Sequence, residues 1–251
     1  MKLIVSFFMW LVLLSMCYAQ KPFFNEKDSL YKRKWNLVWE DNFSNKKNFD
    51  SLWNAENMSP SHILSSRWRE NVTVRRGRLY LNNKKENRGG RSWTCASVTC
   101  KQLFKYGYFE CRMKIYKSSG LNNSFWLYQW NPKVGRAFEI DIVEAHYPNE
   151  IHTNVHDRGI RGRVPSKQNA LLIKAKENLF SDFHVYGLNW TKDSLEFYFD
   201  GQKVRTVKNT HCYDYANLVL GTAVLEWAGK ISDKIDGTHM VVDYVRVFQP
   251  L

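Results

Sequence analysis

The 251-residue sequence has no internal repeat, no low-complexity stretch and no linker rich in proline, glycine and serine. These absences argue against a repeat array or a string of tethered domains, and the length suits one large all-β or α/β domain. Helical patterning is scarce as well, because Ala170–Leu179 is the one segment predicted to be helical, and it is short. Strands are therefore expected to supply most of the structure.

Short runs of β-branched and aromatic residues, bounded by turn residues, recur along the chain. Val72–Val74 and Leu79–Leu81 predict one hairpin, and Ala96–Leu103 and Tyr108–Tyr116 predict a second. The other predicted strands are Trp35–Phe43, Phe125–Trp130, Phe138–Glu144, Ile151–His156, Phe183–Trp190, Leu195–Phe199, Lys203–Val207, Leu218–Leu225 and Met240–Phe248. Strands this short and this numerous predict a sandwich or a barrel.

After residue 19 the sequence has no apolar run long enough to cross a bilayer. The segment 1–19 has the parts of a signal peptide: Lys2, the apolar run Leu3–Leu14, and Cys17–Ala19 as a small-residue cleavage site before Gln20. A secreted or periplasmic protein is therefore predicted. A membrane anchor and lipidation at Cys17 are the alternatives.

Cysteine is scarce beyond the predicted signal peptide, where only Cys95, Cys100, Cys111 and Cys212 remain. An exported protein permits disulfides, and all three pairings of these four residues stay open. Their spacing does not predict a zinc site, because no second close pair of Cys or His completes one.

Acidic side chains are outnumbered, with 24 Asp and Glu against 37 Lys and Arg and a net charge of +13. A basic exported protein suits an anionic partner, which could be nucleic acid, an anionic membrane, or an acidic or sulfated polysaccharide. The alternative is a basic surface that only keeps the protein soluble. No nucleic-acid-binding motif accompanies the basic run Arg158–Arg163, so no nucleic-acid partner is predicted.

Three carboxylates occur within six residues in the segment Phe138–Glu144. Its Ile and Val residues predict a strand, on which side chains alternate between faces, so Glu139 and Asp141 share one face. A β-bulge between Asp141 and Glu144 would return Glu144 to that face. Neighbouring carboxylates raise one another's pKa, which suits a glycosidase, because it needs one ionised and one protonated carboxyl group. The alternative is the solvated polar face of an edge strand.

Aromatic side chains are abundant, and flat rings beside carboxylates on a sheet face can stack on sugar rings. Trp126 and Trp130 lie four residues apart in one predicted strand and so share a face. We predict that Trp130, nine residues before Glu139, is a sugar platform at or next to the cleavage point, with a core position as its alternative. For Trp126, the sugar-platform role and the core position are favoured equally.

Several segments in a fixed order resemble the retaining endo-glycosidases of glycoside hydrolase family sixteen. They are Leu37–Phe43 with Phe49–Trp53, Tyr106–Lys114, Ser124–Leu127, Glu139–Glu144, Phe183–Trp190 before Asp200-Gly201, and Val242–Val247. Cys111 departs from the pattern, because a small residue is usual there. The resemblance extends from about Trp35 to Gln249.

The resemblance implies a jelly-roll sandwich of two curved antiparallel sheets with a concave substrate cleft. It implies Glu139 as nucleophile, Asp141 as its auxiliary and Glu144 as acid/base. Residues 35–251 are then a single catalytic domain and 20–34 a polar lead, in a protein that acts as a monomer on polysaccharide. The predicted substrate-binding residues are Trp130, Trp126, His156, Asn154, Arg158 and Glu226. No cofactor is required; the resemblance allows a structural calcium, with Asp243 as candidate ligand.

The pattern E-x-D-x-x-E resembles the laminarinase, agarase, porphyranase and carrageenase branches of that family. Laminarinases usually carry Gly-Trp-Pro before the Phe-Trp strand, and Lys117–Trp126 lacks it, which favours a galactan substrate. Arginine binds sulfate in a bidentate manner, through two parallel hydrogen bonds, so clustered arginines predict a sulfated galactan. The clustered arginines are Arg88 with Arg91, and Arg158 with Arg161 and Arg163. The alternatives are an endo-β-glucanase and a lectin-like module without catalysis.

Overall fold

The computed structural model describes residues 20–131, 136–160 and 166–251. The predicted signal peptide with Cys17 lies outside the described residues, as do Arg161 and Arg163. Within the described ranges, no helix combines the length and the apolar character needed to cross a bilayer.

Seventeen strands run through the described part of the chain. They are β1 (Trp35–Asp41), β2 (Trp53–Ala55), β3 (Ser65–Arg67), β4 (Val72–Arg75), β5 (Arg78–Asn82), β6 (Trp93–Cys95), β7 (Ser97–Phe104), β8 (Gly107–Lys114), β9 (Leu121–Asn131), β10 (Arg136–His146), β11 (Glu150–Ile160), β12 (Lys167–Lys174), β13 (His184–Trp190), β14 (Ser194–Phe199), β15 (Gln202–Lys208), β16 (Ala216–Val224) and β17 (His239–Pro250). Among the described residues, helical structure is limited to α1 (Phe49–Leu52) and the 3₁₀ segments Lys46–Asn48, Arg69–Asn71, Glu226–Ala228 and Asp233–Ile235.

Two large antiparallel sheets contain most of these strands. The first has the order β15-β14-β13-β8-β17-β5-β4, and β1 pairs with β17 beside it. The second has the order β12-β11-β10-β9-β16-β7-β2, and a small parallel pair joins β3 to β6. The predicted all-β class is confirmed.

The hydrophobic core is built from side chains of both sheets, which form one contiguous cluster. Phe125, Leu127 and Ile140 from the second sheet and Phe109 and Met113 from the first are fully buried in it. Burying a side chain of this size contributes about 1.5–3 kcal/mol. Since side chains alternate along a strand, the residues between them on β9 and β10 face away from the core and form the floor of the cleft described below.

The second predicted hairpin is wrong, although both of its strands exist. β7 pairs with β16 and β2, whereas β8 pairs with β13 and β17, so the chain changes sheets between them. The turn uses Tyr106 and Gly107, both with positive φ, and a Cβ on Gly107 would lie 2.3 Å from the carbonyl oxygen of Phe248. Both strands are apolar enough to line a core, and a sequence pattern does not say in which sheet each does so.

The helix predicted over Ala170–Leu179 is also wrong. Its first half belongs to β12, an exposed edge strand that pairs with β11, and its second half is turn. Only Ile173 of the strand packs against the core, while Leu171 and Leu172 stay more than 40% exposed. Pairing with the sheet edge outweighs the weak helical preference of this short apolar run.

The polar lead, residues 20–34, packs on the first sheet. Phe24 is buried in a cluster with Tyr108 and Tyr198, and the amide of Phe23 donates a 2.8 Å hydrogen bond to Glu110. Burial raises the pKa of Glu110 to about 7, although this hydrogen bond and Arg246 favour its charged form. The lead therefore covers a carboxyl group that the sheet alone would leave on its surface.

We expect Glu110→Gln to remove a pH-dependent loss of stability. The pKa of Glu110 is about 7 in the folded state and 4.5 in the unfolded chain. The stability that comes from protonating Glu110 is therefore fully present below pH 4.5 and is lost as the pH rises towards 7. The free energy of unfolding of the wild type should fall relative to the variant by on the order of 3 kcal/mol over that window. Urea unfolding at several pH values measures this, with Glu26→Gln in the exposed part of the lead as a control. A constant difference between wild type and Glu110→Gln would contradict the assignment.

Cys95, Cys100 and Cys111 are buried free thiols, and Cys212 is buried as well. The disulfides that an exported protein would permit therefore do not form among Cys95, Cys100 and Cys111. Burial raises the pKa of Cys100 to about 11, so its thiol stays protonated at neutral pH.

Asp243, the candidate calcium ligand that the resemblance allows, has both carboxylate oxygens paired with arginines. One carboxylate oxygen of Asp243 lies 3.3 Å from Nε of Arg78, and the other lies 2.6 Å from Nη1 of Arg112. A cation here would have to displace two guanidinium groups. Asp243 is instead a partner for two arginines.

Candidate active site

The three carboxylates of β10 share one face because of a β-bulge. The pairing register with β11 shifts between Asp141 and Glu144, and the register with β9 shifts between Asp141 and Val143. The extra residue returns Glu144 to the side occupied by Glu139 and Asp141, as predicted from the spacing.

Strand pairing places each carboxylate in a row of three side chains across β9, β10 and β11. The rows are Tyr128–Glu139–His156, Trp126–Asp141–Asn154 and Ser124–Glu144–His152. All nine residues line one cavity of about 1040 Å³. The cavity is large enough for several sugar rings and lies along the strand bearing the acids.

Glu139 and Asp141 form a tightly coupled pair. Arg158 donates a 2.7 Å hydrogen bond to Oε2 of Glu139, and Nε2 of His156 lies 3.0 Å from Oδ2 of Asp141. Burial, and then the neighbouring charge of Glu139, raise the pKa of Asp141 far above its ordinary value. Asp141 therefore keeps its proton, and Arg158 pairs with the Glu139 carboxyl group beside it.

Glu144 has a different environment. Burial raises its pKa to about 8, and the neighbouring carboxyl groups of Asp141 and Glu139 add to the effect. Its Oε1 accepts a 2.6 Å hydrogen bond from Nδ2 of Asn122, which favours the charged form without outweighing burial. Glu144 is therefore protonated at neutral pH, while Glu139 lies against a guanidinium group. Environments of this kind separate an acid from a nucleophile among neighbouring carboxyl groups.

The two tryptophans of β9 are placed differently. Trp126 lines the cavity next to Gly221, where a Cβ would lie 3.1 Å from the indole ring, so the glycine leaves room for it. Trp130 is 52% exposed and is not among the residues that line the cavity. Tyr128, between them on the same face, is the direct neighbour of Glu139. Trp130 is thus outside the core, and its stacking role stays a prediction.

The other predicted binding residues divide in the same way. His156, Asn154 and Arg158 line the cavity. Glu226 is exposed and does not line it, whereas Trp227, the next residue along the 3₁₀ segment, does. The side chain of this segment that faces the cleft is therefore Trp227, one residue after the predicted Glu226.

Arg88 and Arg91, whose clustering predicted a sulfated substrate, are not among the residues that line the cavity. The guanidinium of Arg88 lies 3.9 Å from the centre of the Trp68 ring and donates to Glu70. Arg91 donates to the carbonyl oxygen of Pro60. Neither arginine lines the cavity, although Pro60 does.

Several lining residues were not predicted, namely Asn122, Tyr128, His62, Arg67 and Trp227. The position of Tyr128 could have been predicted, because it lies two residues from both Trp126 and Trp130 and so shares their face of the strand. Arg67 reaches the cavity from β3, where it is held by a 2.7 Å ion pair with Glu56 and lies 6.0 Å from the Trp126 ring. No local pattern indicates that contact.

Comparison with known proteins identifies the family to which the chain belongs. Residues 45–246 match the family model described as "Glycosyl hydrolases family 16". A curated relative, the beta-glucanase of Acetivibrio thermocellus, is 30% identical over 190 residues, which are 73% of this chain and 55% of that protein. The chain thus spans about half the length of that relative.

Two solved structures share the fold. Porphyranase B from Zobellia galactanivorans aligns with a TM-score of 0.78 at 21% identity, over 92% of this chain and all of that one. The laminarinase catalytic domain from Thermotoga maritima aligns with a TM-score of 0.75 at 25% identity, over 87% of this chain and 99% of that one. The predicted two-sheet jelly roll is confirmed by these alignments.

Proposed function

Because this chain belongs to the glycosyl hydrolases of family 16, as its sequence predicted, we propose that it is an endo-acting glycosidase that cleaves β-linked polysaccharide with retention. One observation carries this proposal. A single strand face presents one carboxylate paired with Arg158 and another, Glu144, that burial keeps protonated. Those are the two states that the first step of a retaining mechanism requires.

In the first step, Glu139 attacks the anomeric carbon and forms a glycosyl ester, while Glu144 donates its proton to the departing glycosidic oxygen. Asp141 and His156 keep the Glu139 carboxylate oriented, because each contacts that part of the site. Asn122 positions Glu144 through its hydrogen bond to Oε1.

In the second step, the ionised Glu144 takes a proton from a water molecule that attacks the same anomeric carbon. The bond to Glu139 breaks, the sugar leaves with its original configuration, and Glu144 is protonated again. The two inversions give net retention, and each group ends the cycle in the state in which it began.

The proposed substrate is a galactan of the agar, porphyran or carrageenan type, in a sulfated form. Two arginines support a charged substrate, because Arg67 and Arg158 both line the cavity. Each already pairs with a carboxylate, so a sulfate group would bind as a further partner rather than as the first. The charge of +13 would attract such a polymer to the surface.

A second candidate is a neutral β-glucan. It is supported by the 30% identity to a protein named beta-glucanase, and by the four carboxyl groups in the cavity lining, which outnumber the two arginines there. Reducing-end release on a panel of κ-carrageenan, porphyran, agarose, laminarin and mixed-linkage glucan separates the two substrates. Binding without release on every polymer would instead support a lectin-like module.

We expect the KM on a sulfated galactan to rise about three- to tenfold between low and high salt, because ions screen charge pairs. Agarose or laminarin should show little change. Arg67→Gln should reduce the salt dependence, and Arg88→Gln is the control, since Arg88 lies outside the cavity lining. Arg158 is unsuitable for this test because it contacts Glu139. Turnover of laminarin that equals or exceeds that of the galactans, and that is indifferent to salt, would favour the glucan.

Export remains part of the proposal, since the predicted signal peptide lies outside the described residues. We also propose that the protein acts as a monomer and that its catalysis needs no cofactor. Mass spectrometry of the protein from its native host measures the first point: a mature terminus near Gln20 is expected, and an intact Met1 terminus would contradict it.

A further inference from the structure

A cluster of His146, Glu150 and His152 lies beside the catalytic carboxylates. One ligand atom from each of the three lies within 4.8 Å of the other two. His146 and Glu150 are directly opposed across β10 and β11, and His152 is in the row that contains Glu144. The cluster is therefore held by paired strands of the sheet and does not depend on a loop.

The hydrogen bonds of Asn122 fix the tautomer of His146. Nδ2 of Asn122 donates to Glu144, so its Oδ1 is left as an acceptor, 3.2 Å from Nε2 of His146. Nε2 must therefore carry the proton and donate it. Nδ1 then carries a lone pair. This atom is buried without a hydrogen-bond partner, and the residue as a whole is only 1% exposed.

A buried imidazole with one nitrogen donating to an oxygen and the other bare has the arrangement of a metal ligand, whose outer hydrogen bond sets the tautomer. An unpartnered buried nitrogen is otherwise costly. The other two members are accessible, because the His152 and Glu150 side chains are 23% and 31% exposed. Nε2 of His152 lies 3.4 Å from Oε2 of Glu150, and Lys174 lies 3.7 Å from Oε1.

We propose that His146, Glu150 and His152 bind a zinc ion at one end of the cleft. Two imidazoles and one carboxylate are a donor set that zinc accepts with a fourth position open to water. The ligand atoms would have to approach by about 1.5 Å at most, given metal–ligand distances of about 2.0–2.2 Å. Lys174 is a competing cation, and it contacts only one of the two carboxylate oxygens.

The ion would occupy part of the substrate cleft. His152 and Trp227 line the cavity, and the Trp227 ring lies 4.3 Å from that of His146 and 5.1 Å from that of His152. Zinc at this position would narrow the cleft on the side of Glu144 and reduce cleavage reversibly. This consequence rests on the proposed function, whereas binding itself does not.

Isothermal titration of the full protein with Zn²⁺ tests the site without reference to activity. We expect one ion per chain with a Kd below about 100 µM. His152→Gln and Glu150→Gln should each weaken binding at least about tenfold, and both positions are exposed enough for the fold to persist. His156→Gln is the matched control, because Glu139, Asp141 and His156 form a second cluster of possible ligands.

Quenching of tryptophan fluorescence by Ni²⁺ gives a second readout, because Trp227 is in contact with two of the three ligands. The quenching should be largely lost in Trp227→Phe and in His152→Gln. No saturable zinc binding up to about 1 mM, unchanged binding in His152→Gln, or loss of binding in His156→Gln would each overturn the proposal. Zinc binding without any polysaccharide cleavage would uphold this site and contradict the proposed function.

Discussion

Glu139→Ala is expected to lower kcat on polysaccharide about 10⁴-fold or more while the fold remains intact. The carboxylate is the proposed nucleophile, and a residue in that role has effects of this size when it is removed. Far-UV circular dichroism and thermal unfolding test the fold. The loss of activity should be the same on all substrates, because no leaving group can replace a missing nucleophile.

Adding azide to the Glu139→Ala variant tests whether Glu139 is the nucleophile. In Glu139→Ala the anion can enter the space left by the carboxylate and displace the leaving group from that face. The bond to the leaving oxygen breaks as the carbon–nitrogen bond forms, so the product is a glycosyl azide with inverted configuration. Rescue of that kind would be absent if Glu139 only oriented another residue, and full activity of the variant would contradict the assignment.

Glu144→Ala is expected to lower kcat on polysaccharide about 10²–10⁴-fold, the usual range for loss of a general acid or base. The reason is that a sugar oxygen is a poor leaving group without a proton. An aryl glycoside with a strongly acidic phenol needs no such proton. It should therefore show a fast first step followed by a slow release of sugar, which single-turnover kinetics would resolve.

Azide distinguishes the two positions. In Glu144→Ala it attacks the ester formed on Glu139, so the glycosyl azide keeps the configuration of the substrate. The same configuration from Glu139→Ala and Glu144→Ala would contradict the assignment of the two roles. Asn122→Ala should have a smaller effect than either, because Asn122 acts through Glu144.

The pH dependence of kcat has a defined sign. Glu144 must be protonated for the first step, and its folded-state pKa is about 8, so activity should fall as pH rises through that value. Measurement in buffer that contains a chelator keeps the neighbouring histidines free of metal. An activity that instead increased steadily above pH 8 would contradict the role of Glu144 as acid.

The sequence predicted the structure of β10 well because each step depended on local geometry. The β-branched residues predicted the strand, alternation placed Glu139 with Asp141, and the extra residue before Glu144 predicted the bulge. The fold class followed from the number of short strands. These properties are local, or repeat along the chain, and so they can be read from one sequence.

The errors concern contacts between distant segments. Strands β7 and β8 have the composition of a hairpin, but Tyr106 and Gly107 turn the chain into the other sheet. Arg67 and Asn122 reach the cavity from β3 and from the start of β9, where nothing nearby indicates a role. Arg88 is the opposite case, because its charge predicted a binding role, whereas the structure pairs it with Trp68 and Glu70 and does not place it in the cavity lining.

Proton NMR of the first product tests the central claim most directly. A defined β-linked oligosaccharide that the enzyme cleaves is followed from the earliest turnover, before the freed sugar interconverts between anomers. Retention through Glu139 and Glu144 predicts that the new reducing end appears first as the β anomer and that the α anomer grows in later. An α anomer as the first product would contradict the mechanism.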